Sequence, residues 1–334
     1  MLKFSVRRLL QLVPILLGLS ILVFAWVHAL PGGPAQALLG ERATPARVEA
    51  VRHDYGLDRP IAVQYLSYMN KVVHFDFGQS ITTQRSVTSE IRRRFPATIE
   101  LTLAAMLFAI GVGIPLGFWS ARRYLSWIDN TSMAGSLLGI SIPVFFLAFI
   151  LKYVFAVKLG WLPSVGRIDV TRDVRHPTGF YVLDAILTLD VGTLVDVLKH
   201  LVLPGIALGT IPLAIVTRIT RAAVLEVENE DYVRTAEAKG LTAPVVNRRH
   251  ILKNAMLPVA TVIGLQTGLL LSGAVLTEIV FAWGGMGSFL EQAIFDRDFP
   301  VLQGGILFLA IVFVVVNLLV DLAYGLLDPR IRVR

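Results

Sequence analysis

Six apolar runs of about 20 residues or more determine what this chain is able to fold into. They lie at 9–30, 97–119, 134–157, 201–219, 259–280 and 301–327. About 20 apolar residues in a helix are enough to cross the hydrocarbon core of a bilayer. Only 16% of the 334 residues are charged, below the ~25% that is typical of soluble domains. The sequence therefore predicts an all-α, polytopic membrane protein with six transmembrane helices.

The first apolar run is interpreted as a retained membrane anchor. Lys3, Arg7 and Arg8 precede it, as basic residues precede a secretory signal. However, its apolar core has about 20 residues, whereas the core of a signal peptide has about 7 to 15. We therefore expect this segment to remain in place as the first span.

The distribution of Lys and Arg predicts the orientation of the spans. With the N-terminus inside, the inner segments hold nearly half of the 31 Lys and Arg residues although they are much shorter than the outer segments. Their charges also cluster at the ends of the spans, where the positive-inside rule applies. Both termini are therefore expected in the cytoplasm. The triplet Arg92, Arg93 and Arg94, just outside the second span, runs against this orientation.

Two long connections divide the chain. Residues 31–96 and 158–200 are expected outside, and the stretch 62–73 within the first of them is amphipathic. Such stretches either form a small external subdomain or lie on the membrane interface, and the sequence leaves both open. We expect three regions, namely an anchor span with an external loop at 1–96, a core of five spans at 97–327 that includes the cytoplasmic loop 220–258, and a cytoplasmic tail at 328–334.

Several kinds of chemistry are missing from the sequence. The chain has no cysteine, which excludes a disulfide scaffold and a cysteine nucleophile. It contains neither the G-x-x-x-x-G-K-[ST] loop that cradles phosphates nor the G-x-S-x-G elbow of serine hydrolases. Its six histidines show no i, i+3 or i, i+4 pairing that would suggest a helical metal site. We expect no catalytic residue, metal or cofactor in this chain, and we assign its net charge of +7 to helix ends rather than to nucleic acid.

An ion-coupled carrier would be expected to place ionisable groups near the middle of the membrane, where their cost marks them as functional. The candidates here are four residues near the ends of spans: Glu100, Lys152, Glu278 and Asp321. At such positions a long side chain is able to place its charge at the membrane interface, or a partner at the interface is able to bind it. The charge then needs no functional explanation. The pattern therefore favours a passive pore or a pathway driven from elsewhere.

The most informative stretch is the connection 220–258 between the fourth and fifth spans. Ala, Glu and Arg favour a helix over 221–239, and Gly240 is able to end it in a left-handed conformation. Thr242 is then expected to cap a second helix, and Pro258 to mark entry into the fifth span.

Small residues lie beside this glycine turn. Ala236 and Ala238 would suit a compact knob that enters a groove of a partner protein, and acidic Glu230 and Asp231 suit a helix start. A solvated basic loop is the alternative. Physical chemistry alone does not separate the two.

The same stretch resembles the cytoplasmic loop of ABC importer permeases, in particular the first permease subunit of dipeptide and oligopeptide importers. The strings that carry the resemblance are Asp231 to Leu241, Asn254 to Pro258, Phe4 to Leu10, Pro31 to Pro34, Tyr55 to Asp58, Phe77 to Ser80, Pro96 to Leu101, Leu208 to Leu213, Leu276 to Phe281 and Asn317 to Ile331. Together they cover nearly the whole chain and are highly specific.

The sequence departs from the general permease pattern at two places, and the first departure indicates the subfamily. The general loop pattern of such permeases begins Glu-Ala-Ala, whereas Arg234, Thr235 and Ala236 occupy that place here, and the later proline is further from the glycine. This variant is usual among peptide-type members. Gly33 stands where many relatives have Asp, which puts a polar role for that turn in doubt.

The resemblance implies the transmembrane fold of type I ABC importers. It implies a heterodimer with a second homologous permease, two cytoplasmic ATPase subunits that bind ATP and Mg, an external solute-binding protein, and a place in the bacterial inner membrane. The residues expected to couple to the ATPase are Asp231, Tyr232, Arg234, Thr235, Ala236, Ala238, Lys239, Gly240, Leu241 and Pro258. The polar residues expected to line the pathway are Gln266, Thr267 and Ser272.

The expected substrate is a short peptide, most simply a dipeptide. Related permeases serve nickel complexes, glutathione, haem or sugars, and the sequence does not separate these. A self-sufficient channel or secondary carrier is the alternative from a different class.

Overall fold

Helices form nearly all of the regular structure in the computed structural model, which describes residues 2–29, 33–39, 43–54, 56–172 and 177–327. The helices are α1 Leu2–His28, α2 Gly33–Leu39, α3 Pro45–Asp54, α4 Ile61–Val73, α5 Val87–Arg122, α6 Trp127–Ser141, α7 Val144–Leu151, α8 Tyr181–Leu187, α9 Val191–Glu228, α10 Asp231–Ala238, α11 Ala243–Val245, α12 Lys253–Gly273, α13 Val275–Val280, α14 Met286–Phe295 and α15 Phe299–Leu327. Short π-helical segments continue α7 over Lys152–Lys158 and join α11 to α12 over Val246–Leu252. Within these ranges the β structure is limited to one bridge between Gln79 and Ser86. The predicted all-α class is confirmed.

Five helices of the described residues are long and apolar enough to cross a membrane. They cover Leu10–His28, Val87–Arg122, Val191–Glu228, Ala243–Leu271 and Phe299–Val320. These correspond to the first, second, fourth, fifth and sixth predicted spans, although the fifth was predicted over 259–280 and α12 ends at Gly273. The predicted tail 328–334 lies outside the described residues.

The third predicted span, 134–157, is not one straight helix. Trp127–Ser141 and Val144–Lys158 meet at an angle of 102°. The break lies at Ile142, whose backbone is extended (φ −82°, ψ 123°), and the next residue is Pro143. A proline disfavours the helical conformation of the residue before it and has no N–H to donate, so the helix ends here. Counted together as one bent span, the two helices bring the number of candidate spans to six.

The centre of the bundle is the contact between α5 and α9, which are 36 and 38 residues long and run parallel. Small residues let their backbones approach closely. A Cβ on Gly117 would lie 2.5 Å from the Thr217 carbonyl oxygen, and a Cβ on Gly209 would lie 2.6 Å from that of Ala105. These glycines are therefore packing residues of the core.

One end of this bundle carries the two long connections. Trp283 Nε1 donates to the Ala97 carbonyl at 2.8 Å, where α5 meets the segment between α13 and α14. The amphipathic stretch predicted at 62–73 is confirmed as α4, and it packs on the first span, since Tyr65 Oη and Ser20 Oγ are 2.8 Å apart. The other end holds the end of α5, the start of α6, the end of α9 and α10.

Candidate functional site

The short helix α10 lies at the end of the bundle opposite the long connections. The continuous helix predicted over 221–239 is interrupted, because α9 ends at Glu228 and α10 begins at Asp231. Glu230 between them is extended (φ −73°, ψ 143°). Asn229 promotes this break, since its side-chain amide donates to the Leu225 carbonyl at 2.7 Å and competes with the helical backbone. The helix start expected at Glu230 and Asp231 is confirmed.

Gly240 ends α10 in the left-handed conformation that the sequence predicts, with φ +76°. Its N–H donates to the Glu237 carbonyl at 2.8 Å, and the N–H of Leu241 donates to the Ala236 carbonyl at 3.3 Å. This pair of bonds is the Schellman motif, which satisfies the last carbonyls of a helix. The turn directs the chain from α10 into α11.

The buried face of α10 rests on its own chain. Val233 and Ala236 are 1% and 5% exposed, and both belong to an apolar cluster that includes Ala121 of α5 and Val224 of α9. Ala236 was expected to permit close approach to a partner protein. Its position is different, because its small side chain fills the contact between α10 and the bundle.

The opposite face of α10 and the turn after it are open to solvent. The expected coupling residues that are exposed there are Asp231, Tyr232, Arg234, Thr235, Ala238, Lys239, Gly240 and Leu241. Tyr232 Oη accepts a hydrogen bond of 3.0 Å from Asn254 Nδ2, which ties the ring to the start of α12. Val245 adds an exposed apolar side chain that sequence reasoning missed. The result is a surface of mixed charge with three apolar groups, namely Tyr232, Leu241 and Val245.

Thr242 occupies the N-cap position of α11 as predicted, although its side chain makes no capping hydrogen bond. From there the chain is helical through the π segment and α12. Pro258, which is expected to mark entry into the fifth span, lies inside α12, so the helix passes through this position without a break. The connection is therefore one continuous helical path from the turn at Gly240 into the membrane.

The expected pathway residues lie on α12, well away from α10. Gln266 is about 18 Å along the helix from Asn254, at 1.5 Å per residue. Gln266 is 8% exposed, and Thr267 Oγ1 donates to the Ile263 carbonyl of its own helix at 2.8 Å. The side chain of Ser272 lies outside the described part of the chain.

The ionisable residues near span ends have partners within the chain. Glu100 accepts 2.6 Å and 2.8 Å hydrogen bonds from Arg167 Nη2 and from a backbone N–H. Lys152 Nζ donates to the Val280 carbonyl at 2.8 Å, and Glu278 accepts from Thr98 Oγ1 at 2.6 Å. The side chain of Asp321 is not among those described. In the described residues, no cluster of three His, Cys, Asp or Glu side chains suitable for a metal ion is found.

Comparison with known families decides what kind of protein carries this loop. Residues 113–333 match the family described as binding-protein-dependent transport system inner membrane component. Residues 1–102 match the N-terminal part of the same kind of membrane component. The chain belongs to this family. It is therefore a multi-pass membrane component of a transport system, as the resemblance implies.

Relatives of this permease match it from end to end. The dipeptide transport system permease protein DppB of Alkalihalophilus pseudofirmus is 47% identical over 99% of this chain and 100% of its own. The protein of the same name from Escherichia coli K12 is 46% identical over 99% of both chains. The glutathione transport system permease protein GsiC of Pectobacterium atrosepticum is 38% identical over 99% of both.

A solved structure shows the fold. A chain of the MetNI methionine ABC transporter, in an inward-facing conformation, matches with a TM-score of 0.53 and 18% identity, covering 71% of this chain and 96% of that chain. The expected ABC importer transmembrane fold is confirmed.

Proposed function

We propose that this chain is the permease subunit of an ATP-driven importer that translocates short peptides, with dipeptides as the preferred class. The observation that carries this proposal is the 47% identity over whole chains to a dipeptide transport permease. We infer four partners: a second homologous permease, two cytoplasmic ATPase subunits and an external solute-binding protein. The chain itself has no phosphate-binding loop, so ATP and Mg are assigned to the ATPase subunits and the permease is non-catalytic.

The exposed surface of α10 and of the turn at Gly240 is the proposed ATPase-docking site. The way in which α10 is held on the bundle supports this proposal. The helix projects at one end of the bundle, presents charged and apolar side chains, and is fixed from below by Val233 and Ala236. A rigid contact of this kind transmits a displacement of the ATPase to α5 and α9. In this proposal Ala236 holds α10 on the bundle, and Ala238 belongs to the exposed surface that contacts the ATPase.

The orientation that we propose puts α10 and both termini in the cytoplasm. The start of α1 lies at the end of the bundle that holds α10, since the other end of α1 contacts the start of α15 through Trp26 and Phe299. The triplet at 92–94, which runs against the positive-inside rule, is partly neutralised. The Glu90 carboxylate lies 3.5 Å from Arg93 Nη2 and 3.2 Å from Arg94 Nε.

Glutathione is the second candidate substrate, because a glutathione permease is 38% identical over the whole chain. Nickel complexes, haem and sugars follow from the resemblance alone. A secondary carrier is disfavoured because Glu100 forms an ion pair with Arg167 and Lys152 donates to a backbone carbonyl, so neither is free to bind a coupling ion.

Uptake in cells tests the substrate. Cells that lack peptide importers receive the partner permease, both ATPases and the binding protein, either with this chain or without it. We expect a radiolabelled dipeptide to accumulate only in cells that have the chain, and glutathione to compete weakly. Strong accumulation of glutathione with no dipeptide uptake would replace the peptide assignment.

A further inference from the structure

A buried carboxylate joins three helices near α10. Asp129, in the first turn of α6, is 1% exposed. Its Oδ1 accepts a 2.5 Å hydrogen bond from Ser120 Oγ of α5, and its Oδ2 accepts one of 3.0 Å from the backbone N–H of Leu125. Two neutral donors satisfy only part of the hydrogen-bonding capacity of this carboxylate, and a nearby cation compensates its buried charge.

Arg221 of α9 supplies that cation with fork geometry. Its Nε and Nη2 atoms donate to the two oxygens of Asp129 at 2.5 Å and 2.7 Å. The guanidinium carbon also lies 5.3 Å from the centre of the Tyr124 ring. A two-pronged contact of this kind fixes both distance and angle between the helices, which a lysine is not able to do.

The position of Arg221 connects this ion pair to the proposed docking helix. Arg221 is about 10 Å along α9 from Glu228, where α9 ends just before α10, at 1.5 Å per residue. Two further contacts stiffen the same region, since Arg122 at the end of α5 donates to Glu228 at the end of α9 and Gly117 leaves no room between the two helices. The apolar cluster below α10 adds the start of α12. Thus α5, α9, α10 and the start of α12 form one packed unit, and Asp129 is the charged connection from that unit to α6.

We infer that Asp129 and Arg221 are positioning residues for transport, which make α6 move together with the docking helix when the ATPase subunits close. This inference rests on the proposed function. Without the ion pair, a displacement of α10 still reaches α5 and α9, but α6 lags behind. The remaining contact of α6 with α9, where Gly139 packs on Thr210, does not fix the angle of α6, so more ATP is hydrolysed for each peptide imported.

Coupling measured in the reconstituted complex tests the inference. We would compare Asp129→Asn, which keeps the shape and removes the charge, with Arg221→Lys, which keeps the charge and removes the fork. The matched control is Glu49→Gln, which breaks the exposed pair of Glu49 and Arg52, 3.9 Å apart. We expect the ratio of ATP hydrolysed to peptide imported to rise about tenfold in Asp129→Asn, less in Arg221→Lys, and not in the control. A fall in import with an unchanged ratio, or no change at all, would show a structural role only and overturn the inference.

A distance measurement covers the case in which these variants assemble poorly. The chain has no cysteine, so spin labels attach only to introduced ones. Gly135 on α6 has open space at its Cβ, and Ala222 on α9 is exposed. In the otherwise unchanged chain carrying Gly135→Cys and Ala222→Cys, the distance between labels should be equal with and without ATP. A distance that changes with ATP would show that α6 and α9 move independently, which contradicts the inference.

The two proposals fail in different ways. If the complex with the unchanged chain imports no peptide with ATP, the proposed function fails. If it imports peptide and Asp129→Asn leaves coupling intact, only the inference about the ion pair fails.

Discussion

Two small residues of the loop, four positions apart, have different tasks. Gly240 allows a backbone conformation, since it has φ +76° and open space where a side chain would begin. Ala236 is limited by volume, since it is 5% exposed within the apolar cluster below α10. Sequence reasoning identified both as small. The i, i+3 spacing of Val233 and Ala236 puts both on the buried face of α10, which the small size of Ala236 alone does not indicate.

Replacing Gly240 by Val tests the turn. A β-branched residue at positive φ costs roughly 1 to 2 kcal/mol, and the added side chain enlarges the exposed surface. We expect the two permeases to assemble but ATPase binding to weaken or hydrolysis to become uncoupled, as seen by co-purification and by substrate-stimulated turnover. Gly240→Asn, which tolerates the left-handed region, should be much milder. Full turnover of Gly240→Val would contradict the docking role.

The two alanines of α10 give a matched pair. Ala236→Leu overfills the contact with the bundle and should lower the stability of the chain by about 1 to 3 kcal/mol, seen as a lower melting temperature in detergent. Ala238→Leu adds the same atoms on the exposed face, so it should leave the melting temperature unchanged and weaken ATPase binding. The reverse pattern would place Ala238 in the core and Ala236 at the partner.

At the scale of helices, the sequence predicted five spans well and the sixth only in outline. Long apolar runs are sufficient to locate a span, because composition decides whether a helix enters a bilayer. They do not show a break. The 102° bend at Pro143 and the interruption at Asn229 depend on single residues inside otherwise favourable helical sequence. Proline and asparagine also occur in unbroken helices, as Pro258 does in α12. Local sequence therefore does not show at which of these residues a helix is interrupted.

Two glycines on α5 test the packing of the bundle. Gly117→Ala places a Cβ 2.5 Å from the Thr217 carbonyl oxygen, so α5 and α9 must separate. We expect a loss of about 1 to 3 kcal/mol, measured as a lower melting temperature. Gly111→Ala is the control on the same helix, because its Cβ meets no atom within 4 Å. Equal melting temperatures for the two variants would contradict the close contact of α5 and α9.

At the scale of the whole molecule, the bundle has two ends of different composition. The long connections and Glu278 lie at one end, and α10 with Asp129 lies at the other. The resemblance to permeases predicts the docking residues, whereas charge counting alone predicts only the orientation. The ion pair joins Asp129 to an arginine 92 positions later in the chain, and no local pattern in the sequence indicates such a contact.

Reporter fusions test the orientation. A reporter inserted after Lys239 should be active on the cytoplasmic side, and one near Arg172 on the external side, because the two positions lie at opposite ends of the bundle. A paired enzyme assay, with one reporter active only inside and one only outside, reads both positions. Finding both reporters on the same side of the membrane would contradict the six-span topology.

The most direct test of ATP-driven import is uptake into liposomes. Purified chain alone, given a proton or sodium gradient, should neither hydrolyse ATP nor accumulate a labelled dipeptide. Adding the partner permease, both ATPases, the binding protein and ATP should produce accumulation against the gradient of peptide. Accumulation driven by an ion gradient in liposomes that hold only this chain would contradict the permease assignment and identify a secondary carrier.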